Sequence, residues 1–166
     1  MDGFSLFTDA IDPTLEKKII SIIDTDPRFV RYLKTGKIYY HMLPRDFPEE
    51  WGQLLRIVEG LHGSCKGFDY SLQLKYEKGV YFSAHYDSKN RWEEFIVGVN
   101  LNSEAELYFT KKGFKSISVV LPPRSIYVLS GESRYEWRHG IKKVKGLRYS
   151  ITFRKITDFE KKQKYK

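Results

Sequence analysis

From Phe68 to Arg154 the sequence alternates with a period of two, and no helical stretch interrupts it. β-rich runs fall at about residues 68–76, 80–86, 95–101, 105–110, 116–121, 125–130, 134–139 and 147–154, punctuated by glycine, proline, asparagine and lysine. About eight short strands in succession predict a double-sheet jelly roll, a double-stranded β-helix, in a mainly β chain with N-terminal helices. The first helix is expected over residues 13–24. Asp12 caps it, Pro13 takes its first position, and Leu15, Ile19, Ile22 and Ile23 recur at helical spacing. Trp51, Leu54, Leu55, Val58 and Leu61 mark a second apolar helical face that stops between Gly60 and Gly63. The aromatic, polar segment between them has no clean period and reads as a short hairpin and loop.

A chain of 166 residues suits one domain: a helical buttress and lid over about 1–67, a catalytic core over about 68–155 and a basic tail over 156–166 that is expected to fray from Lys161. The single cysteine, Cys65, excludes an intrachain disulfide framework and a cysteine-rich zinc site, and is expected to be a small buried hydrophobe. Neither a membrane span nor the basic start of a signal peptide is visible, which predicts a cytoplasmic or nuclear protein. The formal charge of +8 and pI near 9.4 favour polyanionic partners and say nothing about chemistry.

His85 and Asp87 stand two apart at the end of a strand pattern, so both side chains point to one face. His139, near a later strand, can supply a third ligand. Two imidazoles and one carboxylate on one face of an octahedral ion leave three positions open, as a non-haem Fe(II) oxygenase requires. The terminal strand adds a second constellation. Arg148, Ser150, Thr152 and Arg154 share one face, and Tyr149, Ile151 and Phe153 the other. The two arginine Cα atoms lie about 20 Å apart on an extended strand, with side chains that reach inward. Guanidinium forks match carboxylates, so an interior strand of this kind implies a small diacid; on an edge strand both arginines would simply be solvated.

These residues resemble the AlkB family of Fe(II)/2-oxoglutarate-dependent dioxygenases, whose pattern is His-x-Asp, a distant His, and Arg-x-Asn-x-Thr-x-Arg. The segments Leu121-Pro122-Pro123-Arg124-Ser125 and Gly131-Glu132-Ser133-Arg134-Tyr135-x-Trp137-x-His139-Gly140-Ile141 are especially similar to the AlkB domain of the tRNA wobble-uridine hydroxylase of animals. The resemblance covers roughly residues 68–155. It implies that His85, Asp87 and His139 bind Fe(II), and that 2-oxoglutarate and O2 are cosubstrates. It further implies that Arg148 and Tyr76 hold the distal carboxylate of 2-oxoglutarate, that Ser150 belongs to this binding strand, and that Arg154 works near the proximal carboxylate. Oxidative decarboxylation to succinate and carbon dioxide would then be coupled to hydroxylation of a C–H bond. Leu74 and Ser150 depart from the pattern where the family carries asparagines, which predicts weaker cosubstrate affinity. Lys89 stands where the bacterial repair enzyme has an acidic residue, so that enzyme's base preference does not transfer.

The resemblance and the basic charge together predict a monomer that hydroxylates or oxidatively demethylates a modified base in RNA, including tRNA. Alternatives are a repair demethylase for alkylated single-stranded DNA or RNA, a protein side-chain hydroxylase, and a jelly-roll binding module without catalysis. Candidate substrate contacts are Arg28, Tyr32, Tyr39, Lys89 and Trp92. The aromatics Phe29, Tyr32, Tyr39 and Tyr40, interleaved with Arg28, Arg31, Lys34 and Lys37, have the composition of a surface that stacks bases and pairs phosphates. Trp51 lies on the apolar stripe of the second helix and is expected in the core. His41 and His62, without spaced partners, are expected to be structural or solvated.

Overall fold

The computed structural model describes residues 1–31 and 36–164. Two sheets face each other. The larger has seven strands in the order β1 (Phe4–Phe7), β9 (Ser125–Leu129), β6 (Ile96–Leu101), β11 (Arg148–Arg154), β4 (Tyr70–Tyr76), β3 (Ile38–Met42) and β2 (Val30–Arg31). The smaller has four, in the order β5 (Phe82–His85), β10 (Arg138–Ile141), β7 (Ala105–Thr110) and β8 (Ile117–Leu121). Every pairing between these strands is antiparallel. This is the expected jelly roll, with a short N-terminal strand and a β2–β3 hairpin extending the larger sheet.

The helices form because their ends and faces agree. Asp12 accepts a hydrogen bond from the Leu15 backbone N–H at 2.7 Å and starts α1 (Pro13–Thr25). Leu15, Ile19 and Ile23 of α1, and Trp51, Leu54 and Val58 of α2 (Glu49–Leu61), are buried. They pack on the outer face of the larger sheet against Val97, Val99, Ile126, Val128, Ile151 and Phe153. Trp51 is fully buried, and its indole N–H donates to Gln73 Oε1 at 3.1 Å. Gln73 in turn donates to the Tyr40 carbonyl at 3.0 Å, so a buried polar link ties helix, β4 and β3 together. Cys65 is a buried free thiol in this layer.

β11 occupies the centre of the larger sheet, between β6 and β4. Its odd residues Tyr149, Ile151 and Phe153 enter the helix-side core, and its even residues line the space between the sheets. All seven of its residues are buried, which rules out the solvated edge strand.

Two expectations are corrected. Residues 134–139 are not a strand: α3 (Gly131–Tyr135) precedes β10, whose second residue is His139. The Ser130 N–H donates to Ser133 Oγ at 3.2 Å, and this local capping turns the chain helical where its composition suggested extension. The tail is not frayed from Lys161. Residues Asp158–Lys164 form α4, and Lys161 pairs with Asp69 at 3.0 Å. Among the described residues, no helix is long and apolar enough to cross a membrane.

Candidate metal centre and cosubstrate cleft

Strand register assembles the His/Asp/His cluster. His85 at the end of β5 lies directly opposite His139 on β10, and the two ring centroids are 4.6 Å apart. Gly140 permits this approach: a Cβ there would sit 2.5 Å from the Phe82 carbonyl oxygen and 2.8 Å from the Tyr108 ring. Asp87 follows two residues after His85. Its Oδ1 lies 3.9 Å from His85 Nε2, and its Oδ2 lies 3.7 Å from His139 Nε2. One donor atom from each of the three residues falls within 4.8 Å of the others.

Hydrogen bonding leaves the donor set free for an ion. His85 Nδ1 is 2.8 Å from the Ser83 carbonyl, which can only accept, so that nitrogen carries the proton and Nε2 keeps its lone pair. Burial pushes the His85 pKa down and that of His139 to about 4, against the pull of Asp87, so both rings are neutral at pH 7. Asp87 is also buried, which opposes ionisation. Arg154, His139, His85 and Arg134 outweigh that penalty and hold its carboxyl at about 2. Asp87 Oδ1 accepts from Arg154 Nη2 at 3.0 Å, whereas Oδ2 is buried without a hydrogen-bond partner among the described residues. A buried, ionised, unsatisfied oxygen beside two neutral imidazole nitrogens fits a divalent cation of the two-histidine, one-carboxylate class.

Arg148 lies in the adjoining cleft, where Tyr76, Tyr127, Ser150, Thr152 and Arg154 also line the wall. Its Nε donates to Asn100 Oδ1 at 2.5 Å, its guanidinium carbon sits 4.7 Å from the Tyr76 ring centroid, and its Nη1 is buried without a partner. Tyr76 lies directly across from Arg148 in the β4–β11 register. Burial, partly opposed by Arg148, raises the Tyr76 hydroxyl to about 12, so it remains a donor. A guanidinium whose Nη1 has no acceptor among the described residues, beside a phenol in the same wall, suits a carboxylate. Leu74 and Ser150, the two departures from the family pattern, are cross-strand partners, so the substitutions fall on one spot of the cleft wall.

Three contributors carry no signal of their role in the sequence. Asn100 on β6 is fully buried, orients Arg148, and donates to the carbonyls of Ser103, Leu121 and Pro122. Tyr127 enters the cleft because Gly98 lies opposite; a Cβ on Gly98 would sit 2.0 Å from its ring. Arg134, fully buried, donates to the carbonyls of Asp87 at 2.8 Å, Ser88 at 3.1 Å and Trp92 at 3.4 Å. Arg134 belongs to the family-like segment from Gly131 to Ile141, but its partners lie more than 40 residues away along the chain.

The expected substrate contacts divide. Lys89 is exposed, 5.3 Å from the Tyr86 ring centroid, and Tyr39 lines a second cleft beside the first. Arg28 is engaged locally: it pairs with Asp26 at 2.8 Å and stacks over Tyr40 at 4.3 Å. Trp92 is only 7% exposed, packs on Tyr70 at 4.4 Å between centroids, and backs Arg154 at 5.5 Å, so it is core rather than an open stacking face. Lys37 is buried as well, so it is not a solvated cation of a lid. Tyr32 and Lys34 lie outside the described residues. His41 is structural, bonded to the Tyr70 hydroxyl.

A family model described as the 2OG-Fe(II) oxygenase superfamily matches residues 16–154. The chain belongs to that superfamily. It is an AlkB-like, Fe(II)- and 2-oxoglutarate-dependent dioxygenase. An uncharacterized protein, L905 of Acanthamoeba polyphaga mimivirus, is 27% identical across 94% of this chain and 86% of its own length. The tRNA (carboxymethyluridine(34)-5-O)-methyltransferase ALKBH8 of Macaca fascicularis is 42% identical over 67 residues, 40% of this chain. That match spans only 10% of the macaque protein. Among solved structures, OsALKBH1 superposes with a TM-score of 0.74 at 16% identity, covering 93% of this chain and 99% of its own. A Trichoplax adhaerens prolyl hydroxylase, solved with a hypoxia-inducible-factor peptide fragment, also gives 0.74 at 14% identity, covering 99% and 87%.

Arg134→Ala should remove the side-chain donor from the Asp87, Ser88 and Trp92 carbonyls, leaving that of Ser88 with only the Trp92 N–H, and loosen the turn that carries Asp87. Each buried bond removed costs about 1–3 kcal/mol, so denaturant unfolding should show a decrease in stability of at least about 3 kcal/mol, with faster amide exchange over residues 86–92.

Proposed function

We propose that this dioxygenase hydroxylates or oxidatively demethylates a modified base in RNA, with tRNA as the leading substrate class. The observation that carries the reading is the 42% identity to a tRNA-modifying protein over 67 residues. The net charge of +8 supports it. So does the exposed Tyr86, whose ring lies 5.3 Å from Lys89 Nζ and 5.4 Å from the Arg138 guanidinium, an aromatic flanked by two cations in the segment that bears the metal cluster. A protein side-chain hydroxylase is the second reading. It is favoured by the equal TM-scores to OsALKBH1 and to a prolyl hydroxylase solved with its peptide.

In this mechanism His85, Asp87 and His139 would hold Fe(II). Arg148 and Tyr76 receive the distal carboxylate of 2-oxoglutarate, with Asn100 fixing the guanidinium. Ser150 lines the same wall. Arg154 restrains Asp87 through Oδ1 and keeps it ionised, and its guanidinium would work near the proximal carboxylate of bound 2-oxoglutarate. When bound, Fe(II) with 2-oxoglutarate and O2 would supply the oxidant for a C–H bond, with succinate and carbon dioxide as the co-products. Leu72, Leu74, Phe82 and Ile141 exclude water from that cleft. The protein's share of catalysis is orientation and a dry, shaped site.

Three outcomes test this. His85→Ala and Asp87→Ala should each abolish Fe(II)-dependent succinate formation while the far-UV spectrum stays native; turnover comparable to the parent would remove these residues as ligands. Arg148→Lys keeps the charge and loses the fork. Its 2-oxoglutarate dissociation constant should rise by about 10- to 100-fold, the effect of losing about 1.5–3 kcal/mol, as read by titration calorimetry. Finally, affinity for single-stranded RNA should exceed that for duplex RNA or peptides and fall linearly with log salt. Lys89→Glu with Arg138→Glu should make that slope shallower by about 0.7 for each phosphate that is no longer neutralised. A peptide that stimulates succinate release when no RNA does would select the second reading.

A further inference from the structure

Lys37, just before β3, is 8% exposed, and its ammonium lies 3.1 Å from the centroid of the Phe82 ring. Phe82 stacks on His85, with centroids 4.4 Å apart and planes at 26°. Lys37 therefore sits one ring away from a candidate metal ligand. It lines a cavity of about 280 Å³ with Tyr39, His41, Leu72, Leu74 and Phe82, and the last three of these also line the cosubstrate cleft. The two spaces are neighbours, divided by shared side chains.

The walls around Lys37 are aromatic and aliphatic, apart from His41, which is engaged with Tyr70. Burial lowers the Lys37 pKa to about 8, and among the described residues no carboxylate opposes that fall. A partly desolvated ammonium with no carboxylate beside it among the described residues is costly, and contact with an aromatic face offsets only part of that cost. An oxyanion entering the cavity would complete the pair in a low-dielectric site, where it counts for most.

We propose that Lys37 is a specificity-determining residue that pairs with an oxyanion of the substrate: the phosphate of the target nucleotide or a carboxylate carried on its base. The inference rests on the nucleic-acid reading and deepens it. Tyr39 supplies flat apolar surface for the ring beside the charged group, and the anion fixes how far the ring enters the cavity.

The test uses the full chain loaded with Fe(II) and 2-oxoglutarate without oxygen, so that binding is read without turnover. Uridine, uridine 5′-monophosphate and 5-carboxymethyluridine are titrated into the parent, Lys37→Met and Lys37→Arg. At least one acid should bind the parent about tenfold or more tightly than uridine, and which acid gains identifies the source of the oxyanion. Lys37→Met should bring all three ligands within about twofold, and Lys37→Arg, which keeps the charge, should retain part of the preference. Native thermal melting of Lys37→Met confirms that the fold persists, and Lys37→Arg keeps the result decisive if it does not. Equal binding of all three ligands to the parent, or an undiminished preference in Lys37→Met, overturns the proposal. RNA turnover in air separates the two levels: turnover with an unchanged KM in Lys37→Met removes the Lys37 role and leaves the RNA reading. No RNA turnover beside a Lys37-dependent acid preference keeps the cation site and removes the RNA reading.

Discussion

The carboxylate of Asp87 is the constraint on which the rest of the site depends. A buried carboxylate is expensive to ionise, yet a metal centre of this kind requires the anion. Arg154 resolves the conflict with one bond to Oδ1, and Arg134 contributes a second positive charge while fixing the Asp87 carbonyl. The remaining oxygen is then both charged and free. Arg154 comes from the central strand of the larger sheet and His139 from the smaller, so Asp87 stands where the two sheets meet.

The parts of that junction stand on rigid elements. β11 is hydrogen-bonded on both edges and covered on its outer face by two helices through Tyr149, Ile151 and Phe153. Its inner face thus presents Arg148, Ser150, Thr152 and Arg154 with little backbone freedom. Asn100 and Tyr127, from β6 and β9 of the same sheet, complete the floor. Their placement depends on the register Ser150–Asn100 and Gly98–Tyr127, and the second pairing is sterically possible only because position 98 has no side chain.

Away from this frame, the surfaces that choose a substrate are less uniform. One side of the metal cluster carries Lys37, Phe82 and the apolar second cavity, and another carries the exposed Tyr86 between Lys89 and Arg138. The first is an enclosed cationic pocket and the second an exposed aromatic between two cations, so the two surfaces differ in burial and in shape. The same jelly roll is found in OsALKBH1 and in a prolyl hydroxylase with equal superposition, so these local surfaces, and not the fold, distinguish substrate classes.

The jelly roll, both N-terminal helices, the His85–Asp87 pair and the two faces of the arginine strand were legible in the sequence, because each is written in short-range periodicity or in spacing of two, whereas His139 was legible through the family resemblance of the segment that carries it. An alternating strand must send residues 148, 150, 152 and 154 to one side whatever lies across from them. α3 was misread because its capping serines compete locally with extension, and Trp92 and Lys37 were misread as accessible because composition does not reveal burial. The roles of Asn100, Arg134 and Tyr127 had no local signal at all. Each acts on residues brought close only by sheet pairing and by the packing of one sheet on the other. The sequence determined which residue types could meet an iron and a diacid; tertiary structure alone decided which buried cations keep Asp87 charged and which is left without a partner, because charge balance in a low-dielectric interior is a property of neighbours in space and not along the chain.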